Sequence, residues 1–559
     1  MFSAATSVNR EYFREEHQMF EKVVDVPETA RDYDVVVVGA GIGGLYGVHR
    51  FTSQGLSVLG LEGASGVGGV WFHNRYPGAR VDIESFDYCY YFSSELYNEW
   101  EWSERYATQS ELLRYLNHVA DRFDIRRHFL FETWVTGAQW DKEASRYRVT
   151  VSSGDTFTCR FLVMATGNLS AARDPQFPGL EKFQGEWVQA SHWPDRKVEL
   201  AGRRIGVIGT GSSGVQTVPV VAKVAEHVTV FQRSPNFSVP AHNGPMSKDT
   251  WDRIRQDIPG ERAALMASAG ARHVSPGTSN AADLTPEQRE ELLEKSWSYG
   301  GHVFQRTFAD QGTDDFSNSV AAEFVRNKIR SIVDDPELAE KLCPKDHPVG
   351  SRRLCVDTDY YATYNRDNVT LVDVSEHAIE RFDETGIITA DGTHHELDLV
   401  IFALGFNAFT GAIDNANIRN AEGASPTDHW DRGPRTLLGM TTTGFPNLFV
   451  STGPGSPAVL ANLTVHNEQC MDWIGDCIAY LDKSGYATIE ASEEAQDEWT
   501  ARVAEAAGSL LRLRTKNYMV HVNADDQSRV FIPYVGGFGN YVARCNEIAE
   551  NGYEGFVLK

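Results

Sequence analysis

Two glycine clusters, Gly39-Ala-Gly41-Ile-Gly-Gly44 and Gly209-Thr-Gly211-Ser-Ser-Gly214, have the spacing that lets backbone amides at a helix start close on a pyrophosphate. Eighteen residues past Gly44 the run 57–61 ends at Glu62, a carboxylate placed to accept hydrogen bonds from a ribose diol, as FAD or NAD presents. Eighteen residues past Gly214 the run 227–231 ends at Gln232-Arg233. There the carboxylate is gone and a guanidinium follows, which suits a 2′-phosphate, because Arg binds it bidentately and a carboxylate would repel it. The chain is therefore expected to hold two different dinucleotides, FAD at the first turn and NADPH at the second. Thr210 and Ser212 are expected to offer hydroxyls and amides to the second pyrophosphate.

Strands and helices must position these turns. Each cluster follows a β-branched run, 35–38 or 205–208, and each opens an apolar-periodic stretch that reads as a helix. The chain has 559 residues, more than one hydrophobic core usually covers, so two or three domains are expected. The fold class is α/β, with two dinucleotide-binding, Rossmann-like domains and a helical insertion. The first part of the FAD-binding domain is placed at 1–167, with a short helix over 10–24. The first part of the NADP-binding domain is placed at 168–240, the helical insertion at 241–341, and the second NADP-binding part at 342–396. The second FAD-binding part, ending in a C-terminal active-site loop, is placed at 397–559. The stretch Leu399-Val-Ile-Phe-Ala403-Leu-Gly405 repeats the strand-to-glycine character of Val163-Met-Ala-Thr-Gly167, which would set both strands against the first domain.

Composition narrows the function classes. A net charge of −25 argues against nucleic-acid partners and against anionic membrane surfaces. No apolar run is long enough to span a bilayer, and the charged stretch 1–31 lacks a signal-peptide core, so a cytoplasmic enzyme is expected. The seven cysteines show no paired metal-ligand spacing and read as reduced thiols; no metal site is expected.

Three further segments resemble a known family. These are Gly68-Gly69-Val-Trp71-Phe-His-Asn-Arg-Tyr76-Pro77-Gly78-Ala-Arg-Val-Asp82, the run Phe183-x-Gly185 to Trp193-Pro194, and Gly350-Ser-Arg352-Arg353 before Tyr360-Tyr361. Together they resemble the type I Baeyer-Villiger monooxygenases, closest to the phenylacetone and steroid monooxygenase group, over nearly the whole chain. The second follows the family pattern F-x-G-x-x-x-H-x-x-x-W-P, and Trp193 stands where the sister flavin-containing monooxygenases usually carry Phe or Tyr. The resemblance implies NADPH- and O2-dependent insertion of one oxygen beside the carbonyl of a small-molecule ketone, through a flavin peroxyanion, giving an ester or lactone. It implies that Gly69, Trp71, Asp82 and Tyr88 border the flavin. It also implies that Arg352 contacts the NADP 2′-phosphate together with Arg233. Arg353 is implied as the catalytic arginine, and its chemistry fits: a permanent cation favours a peroxyanion and then the oxyanion of the tetrahedral adduct. Asp82 would pair with Arg353 and hold it. The loop 453–460 resembles the bulge that borders substrate, making Leu460 and Leu463 candidate pocket residues.

The chain also departs from the family. Gln189 replaces the fingerprint histidine, with His192 three residues on; glutamine keeps a hydrogen bond but cannot gain a proton. In the C-terminal loop, where relatives carry S-W-x-x-G-A-N, Tyr518 replaces the tryptophan and His521 the glycine. Tyr518 is then either a smaller cover over a roomier substrate pocket or a residue that packs its own loop. These departures keep two alternatives open: oxygenation of a sulfide or other heteroatom, and an uncoupled NADPH oxidase or redox-sensing flavoprotein.

Overall fold

The computed structural model describes residues 31–430, 432–523 and 525–559. The short helix expected over 10–24 lies outside them. Two sheets built around parallel strands dominate the architecture. The strand Asp32–Val38 ends in four valines, of which Val35, Val36 and Val37 have no exposure at all. Such a run belongs between two strands, where both faces are covered. It pairs in parallel with Val58–Leu61 on one side and Thr156–Met164 on the other, so that Val38 stands beside both Leu61 and Met164. Arg146–Val151 and Val135–Asp141 extend this sheet antiparallel, with Ile418–Arg419 at its edge. Leu448–Val450 also pairs with Thr156–Met164.

The second sheet runs Val369–Asp373, His227–Gln232, Arg204–Ile208, Leu399–Phe402 and Glu186–Gln189, parallel throughout. Helices Ile42–Ser53 and Ser212–Val221 leave the central strands of the two sheets through the two glycine turns. Between Pro240 and Cys355 the chain is helical, with Lys248–Arg255, Ile258–Ala267, Pro286–Tyr299, Asp315–Ile332 and Pro336–Leu342. Side-chain caps start these helices: Ser247, Asp257, Thr285, Asp314 and Asp335 each accept a first-turn amide.

One expectation is corrected. Leu399–Phe402 does not join the first sheet; it pairs residue by residue with Ile205–Ile208 and with Glu186–Gln189 in the second. The second nucleotide unit therefore extends beyond residue 396, and the strands that return to the first sheet are Ile418–Arg419 and Leu448–Val450. The likeness between 163–167 and 399–405 has a different cause. A Cβ on Gly39 would strike the Ala165 carbonyl oxygen, and one on Gly209 would strike that of Ala403. The two segments hold the same post beside the glycine turn of their own sheets, and a uniformly apolar strand does not state which sheet it enters.

Candidate active site

At each turn the third glycine decides how close the helix comes. A methyl group on Gly44 would fall inside the carbonyl oxygen of Gly39, and one on Gly214 inside that of Gly209. Both helices begin at an extended glycine, Gly41 or Gly211, with no side chain capping the first amides. Those amides and the positive end of the helix are left for an anion. Such cradles fit the pyrophosphates of FAD and NADP. Glu62 ends its strand buried, its two oxygens accepting the amides of Ala40 at 2.6 Å and Ala64 at 2.7 Å. Burial raises its pKa and these amide bonds oppose the rise. Glu62 thus shapes the first turn as well as standing at the strand end where a ribose would lie.

Thr210 behaves differently from the expectation: its hydroxyl donates to the Ser234 carbonyl at 2.9 Å, tying the turn to the end of the neighbouring strand. Ser212 opens its helix with Oγ 3.8 Å from Cys355 Sγ. Gln232 is the last residue of its strand, buried with Nε2 donating to Lys341 O, and Arg233 follows with an exposed side chain. Arg352, half-buried, leans on Asp346 at 3.4 Å, so a bound phosphate would compete with that carboxylate.

The segment from Gly68 to Asp82 straps the two units together. At its start, a Cβ on Gly69 would lie 2.9 Å from Gly41 Cα in the first turn. Midway, Tyr76 donates its hydroxyl to Gln216 Oε1 at 2.8 Å on the helix of the second turn, and Gln216 Nε2 returns to the Arg80 carbonyl at 3.2 Å. Trp71 Nε1 donates to the Tyr88 hydroxyl at 3.1 Å, with the rings edge-to-face. The fingerprint segment docks on the same strap: Trp193 donates its amide to the His73 carbonyl at 3.1 Å and packs on the cluster of Tyr76, Ala79 and Ala190. Gln189 closes its strand, and the His192 amide bonds back to the Gln189 carbonyl at 3.3 Å. The rings of His192 and His73 stand 5.0 Å apart. His73 is held to about 4 by burial first and then by the charges of His192 and Arg75.

At the end of the strap the structure brings Asp82 and Arg353 together. Arg353 Nε donates to Asp82 Oδ2 at 2.5 Å and Nη2 to Oδ1 at 2.6 Å, while Nη1 reaches the Val459 carbonyl at 3.2 Å. A bidentate pair fixes both the position and the plane of the guanidinium. Burial acts against both charges, but mutual attraction wins: Asp82 is held well below its ordinary range and Arg353 well above. His302 Nε2 stands 3.4 Å from Asp82 Oδ2, off a hydrogen-bond line, and burial lowers its pKa so that it stays neutral.

Tyr518 lies at the turn before the hairpin Val520–Val522 and Arg529–Phe531, stacked on Phe409 with ring centroids 6.5 Å apart. Val459, Leu460 and Tyr518 share one apolar cluster. Charges on Arg353 and Arg512 both act on the Tyr518 hydroxyl, whose pKa burial raises. Leu463 is the first residue of the helix Leu463–Ser484, half-buried. Asn462 caps that helix through Thr464 and donates to the Asp87 carbonyl, next to Tyr88. Asn462, His302 and Arg272 escaped the sequence reading: Asn462 sits beside the bulge 453–460 but has no signal of its own, and His302 and Arg272 come from distant segments with no motif around them. Among the described residues no group of His, Cys, Asp or Glu is arranged to hold a metal ion, and no helix is long and apolar enough to cross a membrane.

Comparison with known proteins agrees with this geometry. Residues 33–258 match the pyridine nucleotide-disulphide oxidoreductase family. The chain superposes on oxidized steroid monooxygenase bound to NADP with a TM-score of 0.90 at 48% identity, covering 94% of this chain and 99% of that one. It superposes on OTEMO complexed with FAD and NADP with a TM-score of 0.90 at 38% identity, again over 94% and 99%. A Baeyer-Villiger monooxygenase of Pseudooceanicola batsensis is 39% identical over 529 residues, 94% of this chain and 96% of that protein. The chain belongs to the Baeyer-Villiger monooxygenases, the FAD- and NADPH-dependent flavoproteins.

Proposed function

We propose that this protein inserts one atom of O2 beside the carbonyl of a small-molecule ketone, giving an ester or lactone, while the other atom leaves as water and NADPH is oxidised to NADP. The observation that carries this reading is the bidentate Asp82–Arg353 pair, set where the strap between the two glycine turns ends. FAD at the first turn supplies the ring that takes up hydride and activates O2, and NADPH at the second supplies the hydride. Gly41 and Gly44 with Glu62 hold the first nucleotide; Gly69, Trp71 and Tyr88 stand next to that turn and border its ring. Gly211 and Gly214 hold the second, and Arg233 and Arg352 face its 2′-phosphate.

Arg353 is the group for the oxygen chemistry. Its cation does not titrate near neutral pH, so it stabilises negative charge developing on the attacking oxygen and on the carbonyl oxygen throughout the working range. Asp82 positions it and takes two of its N–H bonds, and the Val459 carbonyl takes another, leaving the remaining N–H bonds for the reacting oxygens. Leu460 and Tyr518 supply the apolar side of the pocket that keeps water from the charge.

The experiment is direct. FAD-replete protein is mixed with NADPH, O2 and a mixed ketone library, and mass spectrometry looks for products heavier by one oxygen. Arg353→Ala should cost roughly 10²–10³-fold in ketone oxygenation, the range for removing one group that stabilises an oxyanion. Retained oxygenation in that variant would remove Arg353 from this role. Hydrogen peroxide formed in step with NADPH, with no ketone product, would favour an oxidase.

A further inference from the structure

Arg353 is not the only guanidinium at this bulge. Arg272 comes from the helical insertion and donates Nη2 to the Leu460 carbonyl at 3.5 Å, one residue beyond the Val459 carbonyl that Arg353 holds. Consecutive carbonyls of one loop thus carry two guanidiniums. The segment is pinned there, since the Asn462 amide donates to the Gly270 carbonyl at 3.0 Å. Behind Arg272 stands Arg306, whose Nη1 donates to the Val274 carbonyl at 3.3 Å, and a side chain at Gly270 would run into its Nη2.

Among the described residues neither cation has a salt bridge of its own. The carboxylates whose charge reaches Arg272 are Asp87 and Asp82. Asp82 is bound on both oxygens by Arg353, and Asp87 meets His273 Nδ1 at 2.5 Å through Oδ1, with Glu261 on the far nitrogen of that ring. Asp87 Oδ2 has no hydrogen-bond partner among the described residues and acts on Arg272 only through its charge. Arg272 Nε is buried with no hydrogen-bond partner among the described residues. The Arg272 side chain as a whole is half-buried, and a guanidinium held partly out of water beside other cations gains from an anion that reaches its remaining N–H groups. Burial, with the charges of Arg306 and Arg353, lowers the pKa of Arg272 to about 10, so it remains cationic at neutral pH.

We propose that Arg272, backed by Arg306, is a specificity site for an anionic substituent, and that the preferred substrates are ketones bearing a carboxylate. The carboxylate takes the terminal N–H groups of Arg272 that the Leu460 carbonyl leaves, while the carbonyl faces Arg353. A planar carboxylate matches the guanidinium fork, and Leu460, whose carbonyl Arg272 holds, offers apolar surface for the carbon chain. This rests on the ketone-oxygenating reading above, and its test separates the two.

FAD-replete enzyme is assayed with NADPH on oxocyclohexyl-alkanoates from acetate to pentanoate, each beside its methyl ester. For at least one chain length the acid should exceed its ester in kcat/KM by about tenfold or more, the worth of one charge-assisted hydrogen bond. Arg272→Gln should remove that preference chiefly through KM, and Arg272→Lys should restore part of it. The same acid, without NADPH, should raise the melting temperature of the wild-type holoenzyme but not that of Arg272→Gln. Acids no better than esters at every length would overturn the proposal, as would a preference that survives Arg272→Gln. An equal loss of kcat for acid and ester in Arg272→Gln would also overturn it, by placing Arg272 on the reacting oxygens. Failure of both acids and esters to be oxygenated would refute the ketone reading instead, and the melting shift would then decide the anion site alone.

Discussion

Replacing Asp82 with asparagine tests the site where its geometry is most specific. The carboxamide keeps one acceptor for Arg353 but turns an NH2 group toward the other N–H, so one hydrogen bond becomes a donor-donor contact and the neutralising charge is lost. Breaking a fully buried ion pair costs about 3–5 kcal/mol. Here the side chains keep 31% and 18% exposure, so water recovers part of that, and roughly 2 kcal/mol remains. If that loss falls on the positioning of Arg353, kcat for ketone oxygenation drops about thirtyfold. NADPH consumption should continue with hydrogen peroxide as product, because neither glycine turn is touched. Ester formation by mass spectrometry, peroxide release and NADPH consumption are measured together, with flavin absorbance as the check on FAD content. A kcat within twofold of wild type would refute the assignment of Asp82 as the residue that positions Arg353. Titration gives no other explanation: with its folded pKa held well below the ordinary 3.8, Asp82 contributes fully above that value. Its contribution fades only as pH falls through the depressed pKa, far from neutrality.

Gly44→Ala and Gly214→Ala would each drive a methyl into a carbonyl oxygen and push a helix back by about an ångström or more. The first should strip FAD from the purified protein, whereas the second should leave flavin absorbance intact and raise KM for NADPH at least about tenfold. Arg233→Gln should reduce the preference for NADPH over NADH by about tenfold, read as the ratio of kcat/KM values, because a charge-assisted contact to the 2′-phosphate is lost. His466 has no exposure and, among the described residues, neither ring nitrogen has a partner; its ring lies edge-to-face with Phe538 and Tyr541, and burial holds its pKa at about 3. The unfolded chain therefore takes up this proton first, so stability is complete above about pH 6.5 and falls below it. The slope is about 1.4 kcal/mol per pH unit, or about 2 kcal/mol by pH 5. His466→Leu should flatten the pH dependence of the denaturant midpoint by that amount, and an unchanged slope would contradict the assignment.

Local chemistry was legible in the residues themselves. Glycines in a fixed spacing after a valine or isoleucine run state a turn, because no other side chain fits where Gly44 and Gly214 sit against a carbonyl oxygen. The strand-end positions of Glu62 and Arg233 were legible too, since each directly follows the strand next to its turn, Val58–Leu61 or His227–Gln232. The Asp82–Arg353 pair was legible only through the motifs around each residue, being separated by 271 positions. Tertiary structure alone decided the rest. Leu399–Phe402 is apolar on both faces and would fit the centre of either sheet, so its place beside Arg204–Ile208 is set by backbone pairing and chain path. The Thr210 hydroxyl was open to a phosphate on paper, yet in the fold it donates its hydrogen bond to the Ser234 carbonyl. Arg272 carries no local signal: an arginine in a helical, charged insertion reads as solvated. Only the docking of that insertion on Asn462 places it, half-buried, on the carbonyl next to the one that Arg353 holds.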